Sequence, residues 1–193
     1  MNLTHRWLRV ALVFVMGIVG GIVAAAPANA EASSTFFINR TPGTYGHFNL
    51  RFGHSLQCLD IPPGQSTVSG AWLEQRPCDG RTSQLWDLQV ASNGIDFRIR
   101  SPLSGKCVNV DHADYGLGTH IIQWPCGAFS NEYFKQAFDV NSGTVTPPGN
   151  LYWFVPSQST GNALNVANGS GSSGAKVILW QKAAQPNEYI ELT

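Results

Sequence analysis

The chain has 193 residues, with 12 Lys plus Arg against 12 Asp plus Glu and a formal net charge of zero. That balance excludes the strongly basic footprint of a nucleic-acid binder or of a protein held on an anionic membrane surface. Charged residues make up only 12% of the chain while 20 Gly and 11 Pro are present, a composition that favours turns and β-structure over solvent-exposed helices.

In chain order, the first element is an export signal. Arg6 and Arg9 precede an apolar run from Val10 to Ala26, and the run ends in Ala28-Asn29-Ala30. A charged start, a hydrophobic stretch and a small-x-small site are what the export machinery and its peptidase require, so residues 1–30 are expected to be removed and the protein to be secreted and extracellular. The alternative is a retained membrane anchor, because the run is a little short of the roughly 20 residues that span a bilayer. Residues 31–44 form a short N-terminal segment. Residues 45–193 have the size of one domain, and nothing in them is long and apolar enough to cross a membrane.

All four cysteines, Cys58, Cys78, Cys107 and Cys126, lie in the exported part, where two disulfides are expected. A zinc site would need closely spaced Cys or His pairs, and there are none; no metal and no cofactor are expected.

Three stretches align without a gap: Phe48-Asn49-Leu50 to Cys58-Leu59-Asp60-Ile61, Phe97-Arg98-Ile99 to Cys107-Val108-Asn109-Val110, and Trp153-Phe154-Val155 to Ala163-Leu164-Asn165-Val166. Apolar and polar residues alternate with the period of a half-buried strand. A second strand recurs in Leu73-Glu74-Gln75-Arg76-Pro77-Cys78, Ile121-Ile122-Gln123-Trp124-Pro125-Cys126 and Val177-Ile178-Leu179-Trp180-Gln181-Lys182. Closing strands are expected at Gln84-Leu85-Trp86, Gln136-Ala137-Phe138 and Asn187-Glu188-Tyr189. Turns fall at Ile61-Pro62-Pro63-Gly64, Ser92-Asn93-Gly94, Thr146-Pro147-Pro148-Gly149 and the run from Asn168 to Gly174. The repeats span about 45–92, 93–146 and 147–193, each with room for a four-stranded unit. Periodicity alone leaves open whether they form a barrel or a sandwich.

Over Tyr45 to Thr193 the three units and the Gln-x-Trp ending resemble the ricin-type lectin family. The resemblance implies an all-β fold, a β-trefoil of three repeats. Cys58 with Cys78 and Cys107 with Cys126 hold the same two places in successive units, which selects the pairing within each repeat. The third unit has Ala163 and Lys182 there.

The resemblance also implies where sugar would bind: at the acid after the first Cys, at a polar residue and an aromatic two places apart on the third strand, and at an amide just before the Gln of the closing motif. Carried onto this chain, those places hold Asp60, Glu74, Arg76 and Ser83 in the first repeat. In the second they hold Asn109, Ile122, Trp124 and Lys135, and in the third Asn165, Ile178, Trp180 and Pro186. Trp124 and Trp180 are the candidate platforms for a sugar's C–H face, with Asn109, Asn165 and Asp60 as candidate hydrogen-bonding groups. Asp60, Asn109 and Asn165 could equally serve their own hairpin turns. Trp86, Phe138 and Tyr189 are expected to pack. His112, Asp114 and Tyr115 could extend a site at Trp124, whereas His47, His54 and His120 have no partner at metal-ligand spacing. Asn39-Arg40-Thr41 and Asn168-Gly169-Ser170 fit the glycosylation sequon.

A glycosidase needs two carboxylates across a cleft, but Glu31, Glu74, Glu132, Glu188 and Glu191 are scattered. Gly-x-Ser-x-Gly, His-Glu-x-x-His and phosphate-loop patterns are absent, so no enzyme is expected. The expected role is a secreted domain that binds a glycan or polysaccharide. The competing expectation is a secreted trefoil that has lost sugar and binds a protein, as an inhibitor or a toxin or adhesion subunit.

Overall fold

The computed structural model describes residues 35–36, 41–137 and 151–193. The expected export signal with Ala28-Asn29-Ala30, Asn39 and Arg40 of the first sequon, Phe138, and the Thr146-Pro147-Pro148-Gly149 turn lie outside them.

The strands are short because Gly and Pro interrupt the apolar alternation every few residues. They are β1 (Thr35–Phe36), β2 (Gly43–Phe48), β3 (Leu50–Phe52), β4 (Gln57–Asp60), β5 (Ala71–Trp72), β6 (Glu74–Pro77), β7 (Trp86–Val90), β8 (Phe97–Arg100), β9 (Lys106–Val110), β10 (Ile121–Pro125), β11 (Phe134–Ala137), β12 (Leu151–Pro156), β13 (Asn162–Val166), β14 (Val177–Gln181) and β15 (Ile190–Leu192).

Antiparallel pairing closes a ring. β2 pairs with β7, β7 with β8, β8 with β11, β11 with β12, β12 with β15, and β15 with β3, which continues β2. Closure removes the unpaired edges that an open sheet would expose. The other strands form three hairpins, β4–β6, β9–β10 and β13–β14. The hairpins meet each other through backbone bonds such as Leu73 N–H to Ile121 C=O at 2.8 Å, Val177 N–H to Leu73 C=O at 3.0 Å and Leu179 N–H to Thr119 C=O at 2.8 Å. A six-stranded barrel capped by three hairpins is a β-trefoil.

Period-2 alternation explains the core. Leu50, Phe52, Trp86, Leu88, Phe97, Ile99, Phe134, Phe154 and Ile190 fill the barrel, while Leu59, Ile61, Val108, Val110, Leu164 and Val166 point in from the hairpins. The alternate hairpin residues, Cys58 and Asp60 and their counterparts, therefore lie on the opposite face. The disulfides Cys58–Cys78 and Cys107–Cys126 are both present. Trp86 Nε1–H donates to Leu59 C=O at 3.1 Å and ties the barrel to its cap.

Two sequence expectations need correction. The gapless alignment fails in the third repeat, where Phe154 rather than Val155 takes the core position of Leu50 and Ile99. Trp153 and Val155 turn into a smaller cluster with Ala137, Ala163 and Tyr189. The turn between Pro156 and Asn162 absorbs the extra residue, and a one-residue slip reverses every side chain of a strand.

The second correction concerns the closing motif. Each closing strand follows a single 3₁₀ turn, at Thr82–Gln84, Ser130–Glu132 and Pro186–Glu188. The counterparts of Gln84-Leu85-Trp86 are thus Glu132-Tyr133-Phe134 and Glu188-Tyr189-Ile190. The side-chain oxygens confirm the equivalence: Gln84 accepts from Asp79 N–H, Glu132 from Gly127 N–H and Glu188 from Ala183 N–H, always five residues earlier. Gln136 instead lies inside β11, and Tyr189 packs in the smaller cluster.

Candidate functional site

The hairpin register builds the same arrangement twice. Asn109 faces Ile122 and Cys107 faces Trp124 across β9–β10; Asn165 faces Ile178 and Ala163 faces Trp180 across β13–β14. Paired residues share a face and residues two apart share a face, so each Asn lies diagonally beside its Trp on the surface turned away from the core. The Asn residues are buried, at 1% and 3% exposure, whereas Trp124 and Trp180 are 43% and 47% exposed.

Moving the closing motif changes the amide position. Lys135 and Pro186 were the expected occupants, but the residue before Glu132 is Asn131 and the residue before Glu188 is Asn187. Asn131 Nδ2–H donates to Val110 C=O at 2.7 Å, and Asn187 Nδ2–H donates to the equivalent Val166 C=O at 3.0 Å. Asn187 also donates to Asn165 Oδ1. Lys135 instead approaches Asp96 at 3.8 Å, and Pro186 starts its 3₁₀ turn. The second and third repeats therefore carry the same four residues: Asn, Ile, Trp and Asn.

A pocket of about 520 Å³ opens over the second repeat, lined by Asn109, Ile122, Trp124, Asn131, Asp111 and His112, with Gly70, Trp72 and Phe129 completing its wall. One of about 270 Å³ opens over the third, lined by Asn165, Ile178, Trp180, Asn187, Asn168, Gly169 and Gln185. Both are bounded by a tight turn with a left-handed residue at the same place, His112 at φ 51° and Asn168 at φ 58°. Asn and His are both enriched among the non-glycine residues that adopt this conformation.

The first repeat is different. Asp60 faces Glu74 and Cys58 faces Arg76, but the Glu74 carboxylate accepts from Arg76 Nε and, at 2.7 Å, from Lys176 Nζ. Asp60 is fully buried and its Oδ2 accepts from Gln84 Nε2–H at 2.9 Å. Neither pocket includes Asp60.

Of the loop candidates, Asp114 accepts from Gly116 N–H within its own turn and Tyr115 packs against the core; neither lines the second-repeat pocket. His47 bonds Asp87 at 2.7 Å, His54 bonds Ser170 C=O at 2.9 Å and His120 stacks on Trp72. Sequence reasoning missed Trp72, Phe129, Asn131 and Asn187. The spacing from Gly127 to Glu132 and from Ala183 to Glu188, matching Asp79 to Gln84, would have found both asparagines.

Burial raises the carboxyl pKa of Glu188, opposed by hydrogen bonds from the Gln185 and Ala183 N–H groups and Trp153 Nε1–H. This acid is tied into the framework and is not among the residues that line the third-repeat pocket. What each pocket offers is an exposed indole for an apolar C–H face and paired carboxamides that both donate and accept. Asn109 Nδ2 is buried with no hydrogen-bond partner among the described residues. Asp60 Oδ1 in the first repeat is likewise buried with no partner among the described residues.

Residues 33–124 match the model of the ricin-type beta-trefoil lectin domain-like family. Among solved structures, the chain is similar to the designed three-fold symmetric protein ThreeFoil, at 28% identity and a TM-score of 0.67 over 77% of this chain and 99% of that one. It is also similar to 1,3Gal43A, an exo-beta-1,3-galactanase from Clostridium thermocellum, at 22% identity and a TM-score of 0.66. That match covers 76% of this chain but only 30% of the enzyme. A Macrolepiota procera ricin B-like lectin in complex with lactose matches at 12% identity and a TM-score of 0.61, over 79% and 96% of the two chains. The sequence matches no curated protein.

Proposed function

We propose, from the premise that this chain carries a ricin-type β-trefoil lectin-like domain, that it is an exported, non-catalytic protein that binds carbohydrate through its second and third repeats. The observation that carries this reading is the repeated arrangement of an exposed indole with two carboxamides around one pocket, Trp124 with Asn109 and Asn131 and Trp180 with Asn165 and Asn187. The carboxamides that line each pocket both donate and accept hydrogen bonds, as sugar hydroxyls require and an apolar ligand does not. The indole supplies stacking area at the same place.

Trp124 with Asn109 and Asn131, and Trp180 with Asn165 and Asn187, are the binding residues in this reading. Both pockets are shallow and partly open, so each holds its ligand weakly. Two on one rigid domain gain avidity on a polysaccharide or a glycan-bearing surface, because the second contact is made at high effective concentration. Asp60 belongs to the framework.

The test is a glycan array and retention on immobilised polysaccharides, comparing the secreted protein with Trp124→Ala, Trp180→Ala, their double variant and Asp60→Ala, each checked for folding. Each single Trp change is expected to weaken retention and the double change to abolish it. Retention that survives in the folded double variant, or that only Asp60→Ala removes, would overturn the assignment.

A further inference from the structure

The two pockets share their four-residue base, yet one is about twice the size of the other. The larger one extends to Gly70 and Trp72 on the far side of the central Ile, where the smaller one has no lining residue. In the second repeat, β5 pairs with β10 and sets Trp72 opposite Ile122, giving one row of Asn109, Ile122 and Trp72 across three strands. The equivalent neighbour of Ile178 in the third repeat is His120, and that of Glu74 in the first is Lys176. Three equivalent positions thus hold Trp, His and Lys. Lys176 is spent on Glu74. His120 is spent on Trp72, its ring stacked at 3.5 Å between centroids and 12° between planes. Trp72 alone lines a pocket, and it remains 44% exposed.

On this geometry, and resting on the carbohydrate reading above, we infer that the second-repeat pocket holds two stacking subsites, one on Trp124 and one on Trp72, and selects a chain of at least two linked sugar rings. Trp72 and Trp124 occupy diagonal positions on one face of adjacent strands, where Cα atoms are about 7–8 Å apart. Two joined rings bridge that separation and a single ring does not. The third-repeat pocket, with Trp180 as its one indole, accepts a single ring.

The second subsite is built rather than incidental. His120 fixes one face of the Trp72 indole. Gly70 N–H donates to Gln123 C=O at 2.8 Å, and Gln123 Nε2–H donates to the carbonyls of Gln65 at 2.7 Å and Val68 at 2.9 Å. The loop that carries Trp72 is thereby anchored to the strand that carries Trp124. Gly70, at φ +84°, brings its backbone close to the Trp124 ring, where even a Cβ would come within 3.7 Å. His120 is a positioning residue in this arrangement.

The experiment uses the Trp180→Ala protein, so that only the second-repeat pocket is read, on an array printed with mono-, di- and trisaccharides of the same sugars. Signals are expected for glycans of two or more rings at about ten times the affinity of the matching monosaccharide, the factor that one stacking contact supplies. Adding Trp72→Ala should remove that length preference while leaving residual monosaccharide binding, Trp72→Phe should restore part of it, and His120→Ala should reduce it. Equal affinity for one ring and two, or a length preference indifferent to Trp72→Ala, overturns the second subsite and leaves the Trp124 site standing. An array empty for both the parent and the Trp180→Ala protein overturns the carbohydrate reading itself.

Discussion

The first repeat and the two that follow are built on one plan and put to opposite uses. Each has two linked places, one on the hairpin strand and one ending the 3₁₀ turn, that together hold one acid and one amide. In the first repeat the acid is on the strand, Asp60, and the amide on the turn, Gln84, which reaches across to bond it. In the others the acids have moved to the turn. Glu132 is satisfied by the N–H groups of Gly127 and Ala128, and Glu188 by those of Ala183 and Gln185. The strand is left with a neutral Asn. The same exchange runs along the outer strand, where Glu74 and Arg76 pair with each other while Ile and Trp stand open. A repeat becomes a pocket when its charges are saturated elsewhere.

The largest effect separates the braced repeats from the unbraced one. Cys58–Cys78 and Cys107–Cys126 close loops with sequence separations of 20 and 19. Replacing either pair by Ala is expected to lower stability by about 3 kcal/mol in the chain-entropy picture. For a domain of this size that corresponds to a drop of roughly 6–12 °C in the melting temperature. The third hairpin, with Ala163 in place of the first Cys, already holds by packing. Unchanged melting of either double variant would show that the hairpins of the first two repeats do so as well.

A smaller effect tests the divided roles of Asp60 and Asn109. Asp60→Ala removes the acceptor of a buried Gln84 donor and should cost about 1–3 kcal/mol in urea unfolding, with glycan retention unchanged. Asn109→Ala should cost less stability, because its Nδ2 has no partner to lose, and should weaken retention instead. The reverse pattern would collapse the distinction between the repeats.

Much of this plan was legible before any coordinates. The three units, the barrel alternation around Leu50 and Ile99, the cysteine pairing and the two outer tryptophans all follow from period and position. What failed was anything that depended on a residue keeping its identity. Glu132 and Glu188 replace Gln as hydrogen-bond acceptors almost without changing shape, and Gln136 followed by Phe138 supplied a false match four residues on. That slip hid Asn131, and a separate one-residue slip, which took Asn187 itself for the closing residue, hid the place of Asn187 in the site. Trp72 was invisible for a different reason: it enters the second pocket from the first repeat, and no reading of a repeat in isolation reports its neighbour across β5–β10.

The smallest effect concerns the acid that the exchange left on the third turn. Burial pushes the Glu188 carboxyl above its ordinary value of 4.5, and the N–H groups of Gln185 and Ala183 with Trp153 Nε1–H offset this only in part. A carboxyl whose folded-state pKa is raised favours the folded state while it is protonated. Its contribution is fully present below the unfolded value and is lost as pH rises through the folded one. The contribution of Glu188 to stability is therefore smaller at pH 7 than at pH 4. Glu188→Gln copies the residue that the first repeat uses at this place and retains an acceptor for the Ala183 N–H. The amide it introduces also brings a new donor, whose cost or gain does not depend on pH. The informative quantity is consequently the difference between the two proteins at each pH, not either stability alone. Measured by urea unfolding from pH 4 to pH 7, the stability of the wild type relative to Glu188→Gln should fall as pH rises, by less than either effect above. A flat difference would mean that the turn's N–H groups fully compensate the burial. Moving the acid from strand to turn would then have left the third repeat with no pH dependence of its own.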